Sequence, residues 1–169
     1  MVLDLTFFGD AWKDLEPFSY AQILDGEGDR PLGIQAAQLI EIAQWLRKRT
    51  GAEKLRLESR GIRTQTVALV AAALQPDLFS QVIVHEGMSS LDFLLQAPVT
   101  FAEAPELFCL DLYKDFEIDR LAAIAAPAQV KLESSVKAPE SRGETQPFPV
   151  GTMPGIVEEF TNPAESRWR

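Results

Sequence analysis

Residues 61–87, GIRTQTVALVAAALQPDLFSQVIVHEG, constrain the fold of this chain more than any other stretch. Gly61 indicates a turn, and the apolar, alanine-rich segment 66–74 has the composition of a buried helix. Pro76 ends that helix, because proline has no backbone N–H to donate. Segment 81–85 then contains the continuous apolar run that is typical of a buried strand. The stretch therefore predicts a turn, a helix and a strand in close succession.

The rest of the first 132 residues continues this alternation. Apolar residues recur at helical spacing from 34 to 49, and Gly51 follows a basic last turn, as expected at the end of a helix. The sequence predicts strands at 2–8, 54–58, 81–85 and 129–132, helical segments at 34–49, 66–74, 89–95, 105–114 and 118–125, and a loop over 11–32. Such alternation predicts an α/β fold, a three-layer sandwich with a parallel sheet of about four strands. We expect the helices at 34–49 and 66–75 on opposite faces of that sheet.

Residues 133–169 differ in composition from the preceding domain. Five of the eleven prolines lie there, among Ser, Glu, Lys and Gly, and only VGTMPGIVEEF is appreciably apolar. Too little apolar surface remains to offset the entropy lost on ordering such a segment. The sequence therefore predicts a domain over 1–132 and a proline-rich, mostly unstructured tail over 133–169.

Composition argues against several classes of partner. The formal net charge is −9, without a basic stripe, so no binding to nucleic acid is expected. No apolar run approaches the roughly 20 residues that span a bilayer, so no membrane association is expected. One histidine and one cysteine do not form a zinc cluster, and neither GxGxxG nor GxxxxGK[ST] occurs. We therefore predict no cofactor and no metal.

The acidic run Asp111, Asp115, Glu117 and Asp119 could attract calcium, but it lacks the glycine and the terminal glutamate of an EF-hand loop. Solvated helix faces explain this run better. The single cysteine, Cys109, excludes an internal disulfide and fits a reducing compartment. The opening MVLDLTFFGDAW lacks the features of a signal peptide. We expect a cytoplasmic protein, with export of a longer parent protein left open.

Three stretches carry a resemblance to a known superfamily: PLGIQAAQLIEIAQWL, VALVAAALQPDLFSQVIV and PELFCLDLYKDFEIDRLAAIAAP. In this order and spacing, the chain resembles the α/β-hydrolase superfamily, and more closely its bacterial acetylxylan-esterase-like members. The resemblance covers roughly residues 2–132 and corresponds to the C-terminal portion of the fold. It implies a truncated hydrolase-like parallel sheet and carboxylic-ester hydrolysis by a Ser-His-acid triad, with a small ester or a carbohydrate as ligand.

The resemblance also implies a nucleophile elbow, G-x-S-x-G, at the turn before the alanine-rich helix. Counting from Gly61 places Arg63 at the nucleophile position, whereas counting back from Pro76 places Ile62 there. Neither is a nucleophile for acyl transfer. Thr64 lies in the first helical turn, where a hydroxyl commonly serves as a cap.

Ser59 is the only nearby hydroxyl that could replace the missing serine, with Gly61 as the second elbow glycine. A plain serine at the end of a strand is the simpler interpretation. The family's histidine lies after the last strand, but here the only histidine is His85. Thr64, His85 and Glu86 could form a substitute site, with His85 as base and Glu86 or Glu58 as acid. A strand-end histidine bonded to a loop is again the simpler interpretation.

Three functional hypotheses remain open. The first is a degenerate esterase-like domain, not catalytic by itself, that acts in binding or assembly. The second is a fragment of a larger or split acetyl-ester hydrolase. The third is an active hydrolase with a non-standard nucleophile. In the family, a strand earlier in the chain lies between those matching VLDLTFF and LRLE, and this chain has no counterpart for it. We therefore expect either direct pairing of these two strands or an open edge that is completed by self-association or by a missing N-terminal half.

Overall fold

The computed structural model describes residues 1–9, 17–97 and 99–136. It contains six α-helices and three strands in this part of the chain, which we label in chain order. These are α1 (Pro17–Glu27), α2 (Pro31–Thr50), β1 (Leu55–Arg60), α3 (Ile62–Leu74), β2 (Phe79–Gly87), α4 (Phe93–Gln96), α5 (Leu110–Asp115), α6 (Ile118–Ile124) and β3 (Gln129–Ser135). Short 3₁₀ turns at Pro76–Leu78 and Pro105–Phe108 complete the described elements.

The three strands form one parallel sheet in the order β1-β2-β3. Helix α3 connects β1 to β2, and α6 precedes β3, as parallel neighbours require. Alignment of Arg60 with His85, and of His85 with Glu133, sets the register across the sheet. The predicted α/β class with a parallel sheet is confirmed, as a small sandwich of a sheet and its flanking helices.

Helix α2 has sequence signals at both of its ends. Pro31 occupies the first turn, where a missing N–H costs nothing, and three cations lie in the last turn. Gly51 then adopts a left-handed conformation, with φ of 70°, and its N–H donates to the Arg47 carbonyl at 2.9 Å. The helix predicted at 34–49 is therefore confirmed, and it begins three residues earlier at Pro31.

The two faces of the sheet differ in polarity. On β1, Leu55, Leu57 and Ser59 are buried, while the intervening Arg56, Glu58 and Arg60 are partly or fully exposed. The buried face joins a hydrophobic cluster with side chains from both α2 and α3. We expected these two helices on opposite faces, but they share this cluster and contact each other. The alanines of α3, such as Ala71 and Ala72, leave room for that close approach.

The strand predicted at 2–8 is wrong. Residues 1–9 form irregular structure and turns, yet Leu5 and Phe8 are buried in the same cluster as Leu57. Thr6 is held by α2, because its N–H donates to Gln38 Oε1 at 3.0 Å and its carbonyl accepts from Gln35 Nε2 at 2.7 Å. Side-chain amides thus replace the strand pairing that the apolar sequence led us to expect.

Two other boundaries differ from expectation. The loop predicted over 11–32 contains α1, so that part of the prediction is wrong. Strand β3 extends to Ser135, three residues past the predicted domain boundary at 132. The part of the predicted tail beyond residue 136, and the part of the predicted loop at 11–16, lie outside the described residues. Among the helices that are described, none combines the length and apolarity needed to cross a bilayer.

Leu57 and Leu132 provide a matched test of which edge of the sheet is covered. Leu57 is 0% exposed on β1 and Leu132 is 49% exposed on β3. Leu57→Ala should lower the free energy of unfolding by about 2–5 kcal/mol, because it leaves a cavity in the core. Leu132→Ala should change it by less than about 1 kcal/mol. Urea denaturation at low protein concentration measures both values, and equal losses would contradict this description of the sheet.

Candidate functional site

The turn between β1 and α3 lies at the carboxyl end of the sheet, where parallel α/β folds bind ligands. Gly61 has φ of 90° and ψ of 165°, a conformation that favours glycine. Its N–H donates to the His85 carbonyl at 2.8 Å, and its own carbonyl accepts from the Gln65 N–H at 3.1 Å. The turn is therefore fastened to both β2 and the first turn of α3.

Both positions proposed for the nucleophile are occupied by buried structural side chains. Ile62 is 2% exposed and belongs to the second hydrophobic cluster of the chain. The Arg63 guanidinium forms a two-pronged ion pair with Glu106, in which Nη2 donates to Oε2 at 3.1 Å and Nε donates to Oε1. Nη2 also lies 3.3 Å from the Phe7 carbonyl, and the guanidinium carbon is 4.4 Å from the Phe8 ring centroid. This corner of the fold is built around an ion pair.

Thr64 and Gln65 also serve the local structure. Thr64 Oγ1 donates to the Arg60 carbonyl at 2.6 Å, and thereby ties α3 to the end of β1. The Gln65 side-chain amide forms two hydrogen bonds with the Met88 backbone: its Oε1 accepts from the Met88 N–H at 2.7 Å, and its Nε2 donates to the Met88 carbonyl at 2.9 Å. These two hydrogen bonds require glycine at position 87, since a Cβ there would lie only 2.7 Å from Gln65 Oε1. Gln65 therefore joins the first turn of α3 to the residue that directly follows β2.

Ser59 lies on the apolar face of β1 and is 1% exposed. Its Oγ has no hydrogen-bond partner among the described residues. A serine nucleophile must be accessible and hydrogen-bonded to a base. The geometry of Ser59 meets neither requirement.

His85 lies on the opposite, polar face of the sheet, between carboxylates of the two neighbouring strands. Its Nε2 is 3.9 Å from Glu58 Oε2, and its Nδ1 is 3.4 Å from Glu133 Oε2. Glu86 instead pairs with Arg60 at 3.5 Å. The suggested set of Thr64, His85 and Glu86 is not brought together by any of these contacts. The structure does place Glu58 beside His85, and it adds Glu133, which the sequence did not single out.

The acidic run on α5 and α6 has ordinary structural roles. Asp111 Oδ1 accepts from Lys114 Nζ at 3.0 Å, and this lysine lowers the pKa of the exposed Asp111. Glu117 caps α6 and also accepts from the Leu91 N–H at 3.0 Å. Within the residues that the structure describes, no group of three or more His, Cys, Asp and Glu residues could hold a metal ion.

Glu106 and the nearby Tyr113 are buried polar residues of this region that the sequence did not single out. Glu106 is 0% exposed, and its only signal was an unremarkable PELF segment. Burial raises the pKa of Tyr113 well above its usual value, and the nearby Cys109 and Glu106 raise it further, while Thr66 opposes part of the shift. The Tyr113 hydroxyl makes no hydrogen bond of ordinary geometry to the described residues.

Comparisons with protein-family models, with curated proteins and with solved structures give no match to this chain.

Removal of Arg63 should reveal how much the buried ion pair matters. Arg63→Met should reduce the free energy of unfolding by about 3–5 kcal/mol, because Glu106 would remain buried without its partner. The double variant Arg63→Met/Glu106→Leu should recover most of that loss. Arg60→Met is the matched control: its exposed pair with Glu86 is worth about 0–1 kcal/mol. Thermal and urea denaturation measure all three variants, and a double variant no more stable than Arg63→Met would contradict the assignment.

Tyr113 should make stability fall at alkaline pH. Its pKa is raised from 10.0 in the folded chain, so the folded state keeps the phenolic proton while the unfolded state loses it. The contribution is complete below about pH 10 and is lost as pH rises above that value. Urea denaturation at several pH values should show a shallower alkaline decline for Tyr113→Phe than for the native chain. Identical slopes would contradict this role for the phenol.

Proposed function

We propose that this chain is a degenerate esterase-like α/β domain that is not catalytic by itself and acts in binding or assembly. The observation that carries the proposal is the buried pair of Arg63 with Glu106 at the turn between β1 and α3. Serine-type acyl transfer needs an activated hydroxyl at that turn, together with a base and donors for the oxyanion. A guanidinium paired with a buried carboxylate offers no lone pair for attack.

The surroundings of His85 support the same proposal. Both imidazole nitrogens face carboxylates, Glu58 on one side and Glu133 on the other. Ser59, the nearest candidate hydroxyl in the sequence, lies on the other face of the sheet. A histidine can be a general base only when it reaches the proton to be removed, directly or through one water. Ser59 is therefore not placed for activation by His85.

The same observations bear on the other hypotheses. A fragment of a larger acetyl-ester hydrolase would still require a nucleophile, and Ile62 or Arg63 would occupy its position after any missing strands were added. Loss of the catalytic groups does not by itself abolish ligand binding, since groups remote from the reacting centre also contribute binding energy. The esterase resemblance favours a small ester or a carbohydrate as ligand. A cytoplasmic location accompanies the proposal, because the single Cys109 suits a reducing compartment.

A fluorophosphonate probe tests the proposal directly, because it labels activated serines. The full-length chain should remain unlabelled, as judged by intact-protein mass spectrometry, alongside an authentic serine esterase as positive control. It should also hydrolyse p-nitrophenyl acetate no faster than a folded protein without esterase activity. Arg63→Ser, once circular dichroism shows that it is folded, should not exceed that rate, because a serine there would still lack a base.

Two outcomes would contradict the proposal in different ways. Stoichiometric labelling that Ser59→Ala abolishes, and Ser80→Ala does not, would identify a functional serine at the end of β1. Ester turnover without labelling, abolished by His85→Gln, would instead identify water activated by His85 and its carboxylates.

A further inference from the structure

Strand β3 is the accessible edge of the described sheet. All of its seven residues except Val130 are exposed, whereas on β1, at the other edge, Leu55, Leu57 and Ser59 are at most 5% exposed. An exposed edge presents unpaired backbone N–H and carbonyl groups that favour pairing with another strand. Leu132, in the middle of β3, is 49% exposed. β1 and β3 are both edge strands of the described sheet, and β3 is the more exposed of the two.

The residues of β3 are self-complementary about Leu132. Lys131 precedes Leu132 and Glu133 follows it, so charges of opposite sign flank the apolar centre. Lys131 and Glu133 align with Ile83 and His85 on one face of β2, whereas Leu132 aligns with Val84 on the other. If a second copy of this strand is placed antiparallel to the first with the two Leu132 residues opposite each other, each Lys131 therefore lies opposite a Glu133.

We propose that two copies of this chain associate through β3, as antiparallel strands related by a twofold axis at Leu132. The two three-stranded sheets then become one continuous sheet. Lys131 lies opposite Glu133 of the partner subunit, and Glu133 lies opposite Lys131 of the partner subunit. Leu132 packs against Leu132 of the partner subunit, which covers the exposed apolar side chain. Opposite charges and apolar side chains facing each other across strands stabilise a sheet.

This register is selected by charge. A twofold axis at Lys131 would place each lysine against its own copy, and an axis at Glu133 would do the same for the glutamates, which is unfavourable. A twofold dimer requires a surface patch that complements itself, and the sequence Lys-Leu-Glu satisfies that condition. A second copy of this chain is therefore the partner that the surface fits.

The paired stretch is short. Ser134 has φ of 54°, in the left-handed region, so β3 departs from extended geometry directly after Glu133. The hydrogen-bonded ladder is centred on Lys131–Glu133 of each copy. It buries little surface, and interfaces with a small buried area are typically weak. We expect a weak dimer whose population depends on protein concentration.

The dimer deepens the assembly role proposed above and rests on it for its functional meaning. The two proposals fail separately, however. Labelling by a fluorophosphonate would overturn the non-catalytic proposal, and association behaviour alone decides the dimer.

Charge exchange on β3 provides the first test. Sedimentation equilibrium of the full chain from micromolar to millimolar concentration should show reversible dimerisation. Lys131→Glu or Glu133→Lys should each weaken it by about tenfold or more, because two attractive pairs become repulsive. The double variant Lys131→Glu/Glu133→Lys should restore the native affinity. Lys114→Glu, an exposed charge reversal on α5, is the matched control and should leave association unchanged.

Disulfide trapping tests the register independently. In a Cys109→Ser background, Leu132→Cys should form a covalent dimer on mild oxidation, because the two residues face each other across the axis. Lys131→Cys, one residue away, should crosslink far less. Circular dichroism confirms that each variant is folded, as expected for exposed positions on an edge strand.

Three results would overturn the proposal. The first is a full chain that stays monomeric at millimolar concentration, which would make residues 137–169, the segment that follows β3, the next candidate for covering this edge. The second is a dimer that Lys131→Glu and Glu133→Lys leave intact. The third is a dimer that crosslinks equally well through residues 131 and 132, which would exclude the register centred on Leu132.

Discussion

The buried ion pair of Arg63 with Glu106 joins three separate parts of this fold. Arg63 lies in the first turn of α3, Glu106 lies in the turn between α4 and α5, and the Phe7 carbonyl belongs to the N-terminal segment. Each group would be costly to bury alone, so the segments must be in place together for either charge to be stable. The arrangement at the carboxyl end of the sheet therefore depends on one charged pair.

The polarity of the sheet determines how the remaining surfaces are used. On one face, Leu57 and Val84 pack with the helices, and on the other Glu58, His85 and Glu133 form a partly exposed polar row. A sheet that is covered on both faces would be apolar on both. Because α2 and α3 pack in one cluster with the apolar face, the side chains of Glu58, His85 and Glu133 on the other face are separated from α3 by the sheet itself. That separation explains why His85 and Thr64 do not meet.

The sequence predicted elements whose signals are local. Helix α2 has its proline, its cations and Gly51, and the strand at 81–85 has its apolar run, so both were found within a few residues of their observed limits. The prediction of a strand at 2–8 failed because an apolar segment can be buried equally well in an irregular conformation, here one whose backbone is hydrogen-bonded by Gln35 and Gln38. Glu106 could not have been recognised, because the pairing joins residues 43 positions apart in the chain.

The wrong strand at 2–8 and the missed Glu106 have a common origin, because both depend on which hydrogen-bond or ion-pair partners buried polar groups find. A buried donor or acceptor must find a partner, but the partner can come from any part of the chain. Gln65 binds Met88 and Gln35 binds Thr6, each across more than twenty residues, so periodicity contains no trace of them. Around the turn at Gly61, such long-range partners occupy the positions where the family resemblance implied catalytic groups. The turn between β1 and α3 is thus maintained by polar side chains that are already hydrogen-bonded or ion-paired within the fold.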